Sequence, residues 1–305
     1  MNQDDQKGLR YRISHRTEYR YSENVAVCQN QVRMQPVTGG NVSCEMTRLT
    51  IHPTSTTRHE HLDYFGNRVI TFSIEATHNS LIVEAESRVR LTSPAIRAPR
   101  QSVSWESLLA RHPHEAMVPR IDEHRFRSPR ITPAACYADY AAASFPAGRG
   151  IVDAALDLIH RIHQDFKYDT TATNVDTTTD QAFQLRAGVC QDFAHVGIAC
   201  FRSIGLAARY VSGYLRTVPP PGKERLVGAD ESHAWLEVYC GVDIGWLGLD
   251  PTNACLVTSD HIPVCVGRDY DDVSPMRGVV IGGGTNTLKV NVDVEPITES
   301  SADQR

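Results

Sequence analysis

The chain has 305 residues, more than one hydrophobic core usually serves, so two domains are expected. Apolar residues make up 41% of it, charged residues 22%, and the net charge is -5, a balance that calls for neither nucleic acid nor a membrane as partner. The 31 basic residues are nearly all arginine and are scattered, so they read as solvated faces and not as a phosphate-binding surface.

The first residues, "MNQDDQKGLRYRISHRTEYRYSE", contain no apolar run of export-signal length, and no later stretch approaches the roughly 18 residues of a membrane span. A cytoplasmic location is the expectation. Cysteines at 28, 44, 136, 190, 200, 240, 255 and 265 form no C-x-x-C pair, which argues against a disulfide framework and against a zinc site.

From Leu9 to about residue 93, short alternating runs such as "LRYRISHRTEYRY", "VAVCQNQVRMQP", "NRVITFSIEA" and "SLIVEAESRVRL" are separated by turn residues. Period-two alternation predicts an antiparallel β-sandwich. Residues 94–132 are proline-rich without a sustained period and read as a linker, with one short helix in "SWESLLARH". A second domain is expected over 133–296, followed by a disordered tail at 297–305. It opens with helical patterns in "PAACYADYAAASF", "IVDAALDLIHRIHQDF" and "QAFQLRA", and continues as strands after Leu206, an α+β order. "VPPPGK", residues 218–223, reads as an exposed loop.

The chemistry-bearing stretch is "AGVCQDFAHVGIACFRSIG". Ala194, Gly197, Ile198, Phe201 and Ile204 recur at helical spacing, and Gly188 can turn the chain just before them. Cys190 therefore falls in the first turn of a helix, where free N–H groups and the positive dipole end favour a thiolate and can bind an oxyanion. Cys200 lies about 15 Å further along the same helix and reads as packing. His195 is about 140° around from Cys190 and reads as a structural side chain. Asp192 reads as a cap of the helix start.

A base is supplied by "ESHAWLEVYCGVDIGWLGLDPTN", two strands and a turn. If Gly241 and Val242 are the central residues of a type II′ turn, His233 stands opposite Asp250, close enough for the carboxylate to orient the imidazole. An ordinary cross-strand His–Asp pair is the alternative; the cysteine at a helix start favours catalysis. A metal site of Cys190, His195 and His233 fits no common spacing and leaves Asp250 without a role.

"GVCQDFAHVGIACFRSIGLAARYVSGY", "SHAWLEVY" and "GWLGLDPTN" closely resemble the three motif blocks of the transglutaminase-like superfamily, and "VGRDYDDVSPMRGVVIGGG" resembles its bacterial branch with an N-terminal β-sandwich. The resemblance implies a papain-like core in which a cysteine helix packs on an antiparallel sheet. It implies Cys190 as nucleophile, His233 as general base and acid, and Asp250 as orienter, acting on a peptide or protein substrate through a thioester without a cofactor. Hydrolysis is preferred to transglutaminase-type crosslinking, with a non-enzymatic peptide-binding module as the remaining alternative. Nothing in the pattern sets an oligomeric state. Further candidates for the oxyanion site or the substrate groove are Gln191, Tyr168, Trp235, Arg268, Asp269 and Tyr270; packing for Tyr168 and an ion pair for Arg268 and Asp269 are the competing readings.

Overall fold

The computed structural model describes residues 8–36, 38–40, 42–92, 102–111, 118–217 and 231–297. The alternating N-terminal region forms β1 (Leu9–Val32), β2 (Val42–His52), β3 (Thr57–Leu62), β4 (Arg68–Ile74) and β5 (His78–Leu91). The first two predicted runs are one strand of 24 residues, β1, whose pairing slips between Arg20 and Val25. Ahead of that bulge β1 pairs with β5, and beyond it with β4. A strand bent at a bulge turns its sheet. Val25, Cys28, Phe72 and Ile74 thereby share one core with Leu49, Leu81 and Val83.

The structure departs from the expected domain boundaries at the C-terminal end. β13 (Met276–Gly282) and β14 (Asn286–Pro296) do not belong to the second domain's sheet; both pair antiparallel with β1. They cover an edge that β1 would otherwise present to other chains. The expected linker is also more than a spacer. Its described part folds into α1 (Trp105–Arg111), α2 (Val118–Asp122) and a 3-10 turn at Glu123–Arg125, and buries Leu108, Ile121 and Ile131. The 218–223 loop and residues 298–305 of the expected tail lie outside the described residues.

The second half contains α3 (Ala135–Ala142), α4 (Ile151–Asp165), α5 (Thr179–Leu185) and α6 (Cys190–Ser203). Between them, the two-residue strands β6 (Lys167–Tyr168) and β7 (Ala187–Gly188) pair in parallel. A five-stranded antiparallel sheet follows in the order β11-β10-β9-β8-β12, made of β8 (Ala208–Leu215), β9 (Glu231–Tyr239), β10 (Trp246–Asp250), β11 (Cys255–Leu256) and β12 (His261–Gly267). The short α7 (Tyr270–Val273) comes next.

The architecture is α+β, with both large sheets antiparallel. α6 lies directly on β9 because residue 197 is glycine: a Cβ there would stand 2.4 Å from Leu236 Cδ2. Tyr11, Ile13, Val292 and Val294 of the first sheet join Phe201, Tyr214 and Leu236 in one apolar cluster, so the two halves share a core. Among the described residues, no helix is long and apolar enough to cross a membrane.

Candidate active site

Cys190 is the first residue of α6, and its position is fixed from both sides of the turn that precedes it. Asp192 is buried, and its Oδ2 accepts from the Val189 N–H at 2.8 Å and the Thr173 hydroxyl at 2.7 Å. This is the predicted cap. Gly188 has φ +156, and a Cβ on it would lie 2.3 Å from that same carboxylate, so the turn, the cap and the sulfur position depend on one another.

The hairpin of β9 and β10 differs from the predicted one. Leu249 pairs with Leu236 and Trp246 with Tyr239, a register two residues away from a two-residue turn at Gly241–Val242. The connection is longer: the Cys240 N–H donates to the Gly245 carbonyl at 2.8 Å. His233 and Asp250 are therefore diagonal neighbours and not directly opposed. Because side chains alternate with period two, a slip of two keeps both on one face. His233 Nε2 meets Asp250 Oδ2 at 2.8 Å.

Cys190 and His233 line the same cavity, with the cysteine sulfur acting on the imidazole as a second neighbour besides Asp250. Burial works against charge on His233, but its neighbours, the Asp250 carboxylate first and the Cys190 sulfur after it, overcome that and raise its pKa to about 10. Asp250 is fully buried. Burial alone would push its pKa up; hydrogen bonds from His233, His261 and Asn253 outweigh that and hold it well below the ordinary carboxylate range.

Sequence reasoning missed His261. Its Nε2 lies 3.0 Å from Asp250 Oδ2, the oxygen that His233 also uses. The Thr258 N–H donates to His261 Nδ1 at 3.1 Å, so that nitrogen is an acceptor and the ring proton sits on Nε2, directed at the carboxylate. Asn253 Nδ2 adds a third donor to Oδ2 at 2.7 Å, and Oδ1 accepts from the Thr252 and Asn253 N–H groups at 2.9 and 3.1 Å. No pattern around "SDHIP" announces this histidine.

Donor atoms of His233, Asp250 and His261 lie within 4.8 Å of one another, the one group among the described residues with that ligand potential. Their mutual hydrogen bonds already use the nitrogens and the oxygen that a cation would need, so the set fits an orienting network better than a metal. His195 has no place in such a site, since its Nε2 accepts from the Tyr270 N–H at 3.2 Å and burial pulls its pKa down to about 3.

The remaining candidates separate cleanly. Gln191 and Tyr270 line a cavity of about 290 Å³ that opens onto Cys190 and His233. Tyr168 does not: its ring packs 6.4 Å from that of Phe193, beside the short pairing with Gly188. Trp235 is fully buried under the site, 5.3 Å from the His261 ring. Arg268 forms a two-pronged ion pair with Asp272 at 2.8 and 2.9 Å. Asp269 is buried and accepts from the backbone N–H groups of Arg130 and Asp271, both at 2.9 Å. Three of the six groove candidates, Trp235, Arg268 and Asp269, thus hold the structure and do not line the cavity. Cys200 is buried as well, and burial pushes its thiol far up.

Residues 11–90 match the bacterial transglutaminase-like N-terminal region, and residues 141–251 match the transglutaminase-like superfamily core. An uncharacterized Mycobacterium tuberculosis protein is 40% identical over 295 residues, 94% of this chain and 93% of its own. The chain belongs to the transglutaminase-like superfamily. An uncharacterized Mycobacterium leprae protein is 31% identical and aligns over 93% of this transglutaminase-like chain and 98% of its own length. In three dimensions the fold matches a candidate cysteine protease of Cytophaga hutchinsonii, with a TM-score of 0.77 at 18% identity over 96% of this chain and 92% of that one. For this transglutaminase-like protein the matched core ends at residue 251, one past Asp250, while β13 and β14 return to the N-terminal sheet outside it.

Proposed function

We propose that the protein is a cysteine hydrolase of peptide or amide bonds that works through a thioester. The placement of Cys190 at the start of α6, on one cavity with a His233 whose Nε2 lies 2.8 Å from Asp250 Oδ2, carries the reading. Cys190 Sγ attacks the carbonyl carbon, forming the S–C bond while negative charge moves onto the oxygen. The Cys190 N–H at the start of α6 and the side chain of Gln191, which lines the same cavity, are the donors we assign to that charge. The C–N bond then breaks, with the His233 proton passing to the leaving amine. Water next attacks the thioester, gives its proton to His233, and releases a carboxylic acid and the thiolate.

Water is preferred to a lysine amine as acyl acceptor because no Asp or Glu is among the described residues that line the cavity, so none of them offers a carboxylate to an incoming ammonium. The test incubates the protein with peptide pools in ¹⁸O-water, with and without an added primary amine, and reads product masses. Hydrolysis gives ¹⁸O-labelled acids and a transient acyl adduct on Cys190. Amine-linked products alone would replace the hydrolase with a crosslinking enzyme, and the absence of any adduct on Cys190 would remove the mechanism.

A further inference from the structure

The cavity beside Cys190 has one wall that the catalytic half does not supply. It comes from the N-terminal sheet, where β1 and β14 pair Tyr19 with Leu288 and Thr17 with Val290. Opposed residues in an antiparallel pair project from the same face, so these side chains stand together, facing the sulfur across the gap. Pro275 and Met276, leading into β13, close one end.

β14 shows why this wall calls for an occupant. Leu288, Val290, Val292 and Val294 make one apolar face, while Lys289, Asn291, Asp293 and Glu295 take the other. The last two members of the apolar row are covered by the catalytic half, with exposures of 2% and 0%. Leu288 and Val290 are 55% and 46% exposed. The row therefore runs from the shared core into the open cavity without a change of chemistry, and only its cavity end is uncovered. His15, the next groove residue along β1, is buried and bonded through Nδ1 to the Tyr214 hydroxyl at 2.9 Å. Burial pulls its pKa down to about 4, so it adds no charge to the wall near neutral pH.

We infer that the N-terminal sheet is the specificity wall of the enzyme: Leu288 and Val290 receive apolar side chains of the substrate, so the acyl donor is an extended peptide with uncharged, apolar residues beside the cleaved bond. The inference rests on Cys190 being the nucleophile. A cavity of about 290 Å³ suits a few residues of extended chain and excludes a folded domain, which confines substrates to exposed or unfolded segments. It also gives the chain's return to β1 a function, because β14 brings half of the wall to the groove.

The test uses two pools of internally quenched peptides, one with Leu, Val and Phe around the central bond and one with Asp and Lys there. Their turnover is compared for the wild type, Leu288→Asp and Val290→Asp, alongside iodoacetamide alkylation of Cys190 and a thermal melt. The wild type is expected to favour the apolar pool. Each substitution should lower kcat/KM for that pool by about ten- to hundredfold, mostly through KM, because a buried apolar contact is lost. Melting temperature should stay at the wild-type value, since both side chains are exposed and outside the hydrogen-bonded network, and Cys190 should remain the fast-alkylated cysteine. Leu288→Met, which keeps the apolar contact, should restore the preference. Equal turnover of both pools, turnover of the charged pool alone, turnover of neither, or wild-type selectivity in the folded Asp variants would overturn the wall. If Cys190 is alkylated no faster than the exposed Cys136, it is the nucleophile assignment that fails.

Discussion

On one side of the groove Asp250 accepts five hydrogen bonds, from His233, His261, the Asn253 side chain and the Thr252 and Asn253 N–H groups, and the group is closed to solvent. On the other side Leu288 and Val290 project into open space and are positioned by the register of β14 on β1 alone. The polar side is over-determined, so a lost partner there changes charge and geometry together. The apolar side is set by backbone pairing, so a changed side chain alters what is bound and leaves its neighbours in place. Variants of the first side should act on rate and proton affinity, and variants of the second on substrate choice.

The largest effect expected on the polar side is loss of the nucleophile. Cys190→Ala should abolish turnover and any acyl adduct, measured by product mass, with melting behaviour unchanged because the side chain is only half-buried. Asp250→Asn should come next, lowering kcat by about a thousand- to ten-thousandfold by analogy with other histidine orienters. The same change removes the charge that supports imidazolium, so the pKa of His233 should fall from about 10 toward the ordinary 6.5, read by NMR titration of the ring. A titration unmoved by Asp250→Asn would show that the carboxylate does not control the base.

His261 allows a finer cut. Its Nε2–H is one of three donors on Asp250 Oδ2, and hydrogen bonds to charged groups are each worth roughly 1.5–3 kcal/mol. His261→Phe should therefore slow turnover by about ten- to hundredfold, and His261→Gln, which can return an N–H to the same oxygen, should recover part of it. Equal loss in both would mean that His261 acts only by packing against Trp235.

The difference between the two sides also explains what the sequence revealed. Cys190, His233 and Asp250 were legible because each is announced locally: a helix start after a glycine, and alternation along two strands. Even the wrong hairpin register left His233 and Asp250 on one face, since a slip of two preserves the period of a strand. His261 was not legible, because it opens β12, which pairs with β8, and its contact with Asp250 exists only once the whole sheet has formed. Asp269, left between the groove and an ion pair, was unresolved for a similar reason: its partner, the Arg130 N–H, lies 139 residues earlier. The wall was equally hidden, as it requires β14 to pair with a strand at the opposite end of the chain.

Acidification separates the buried histidines by the sign of their shifts. His15 is lowered to about 4, and His124 and His195 to about 3, in each case chiefly by burial. Below about pH 6.5 the unfolded chain protonates these three while the folded protein does not, so the unfolded state binds more protons and stability falls as pH drops toward 4. The steepest slope is roughly 1.4 kcal/mol per pH unit for each histidine. Asp250, held below its ordinary range, contributes stability that is present above about pH 3.8 and fades only at lower pH. Urea unfolding at pH 7, 6 and 5 checks this, and His195→Gln should flatten the curve by one histidine's share. His233 has the opposite sign: the proton it holds when folded is lost as pH rises through about 10, so kcat/KM should decline there through loss of the acid that serves the leaving amine.

The smallest effect belongs to a residue that sequence reading left between the groove and an ion pair. Arg268 is about a third exposed, and its guanidinium is paired with Asp272 outside the cavity. An ion pair with that solvent access contributes about 1 kcal/mol or less. Arg268→Ala should lower the melting temperature slightly while leaving kcat, KM and the preference between apolar and charged peptide pools at wild-type values. A change in peptide preference would bring Arg268 back to the substrate, and the contrast between a polar catalytic side and an uncharged specificity wall would have to be redrawn around a positive charge.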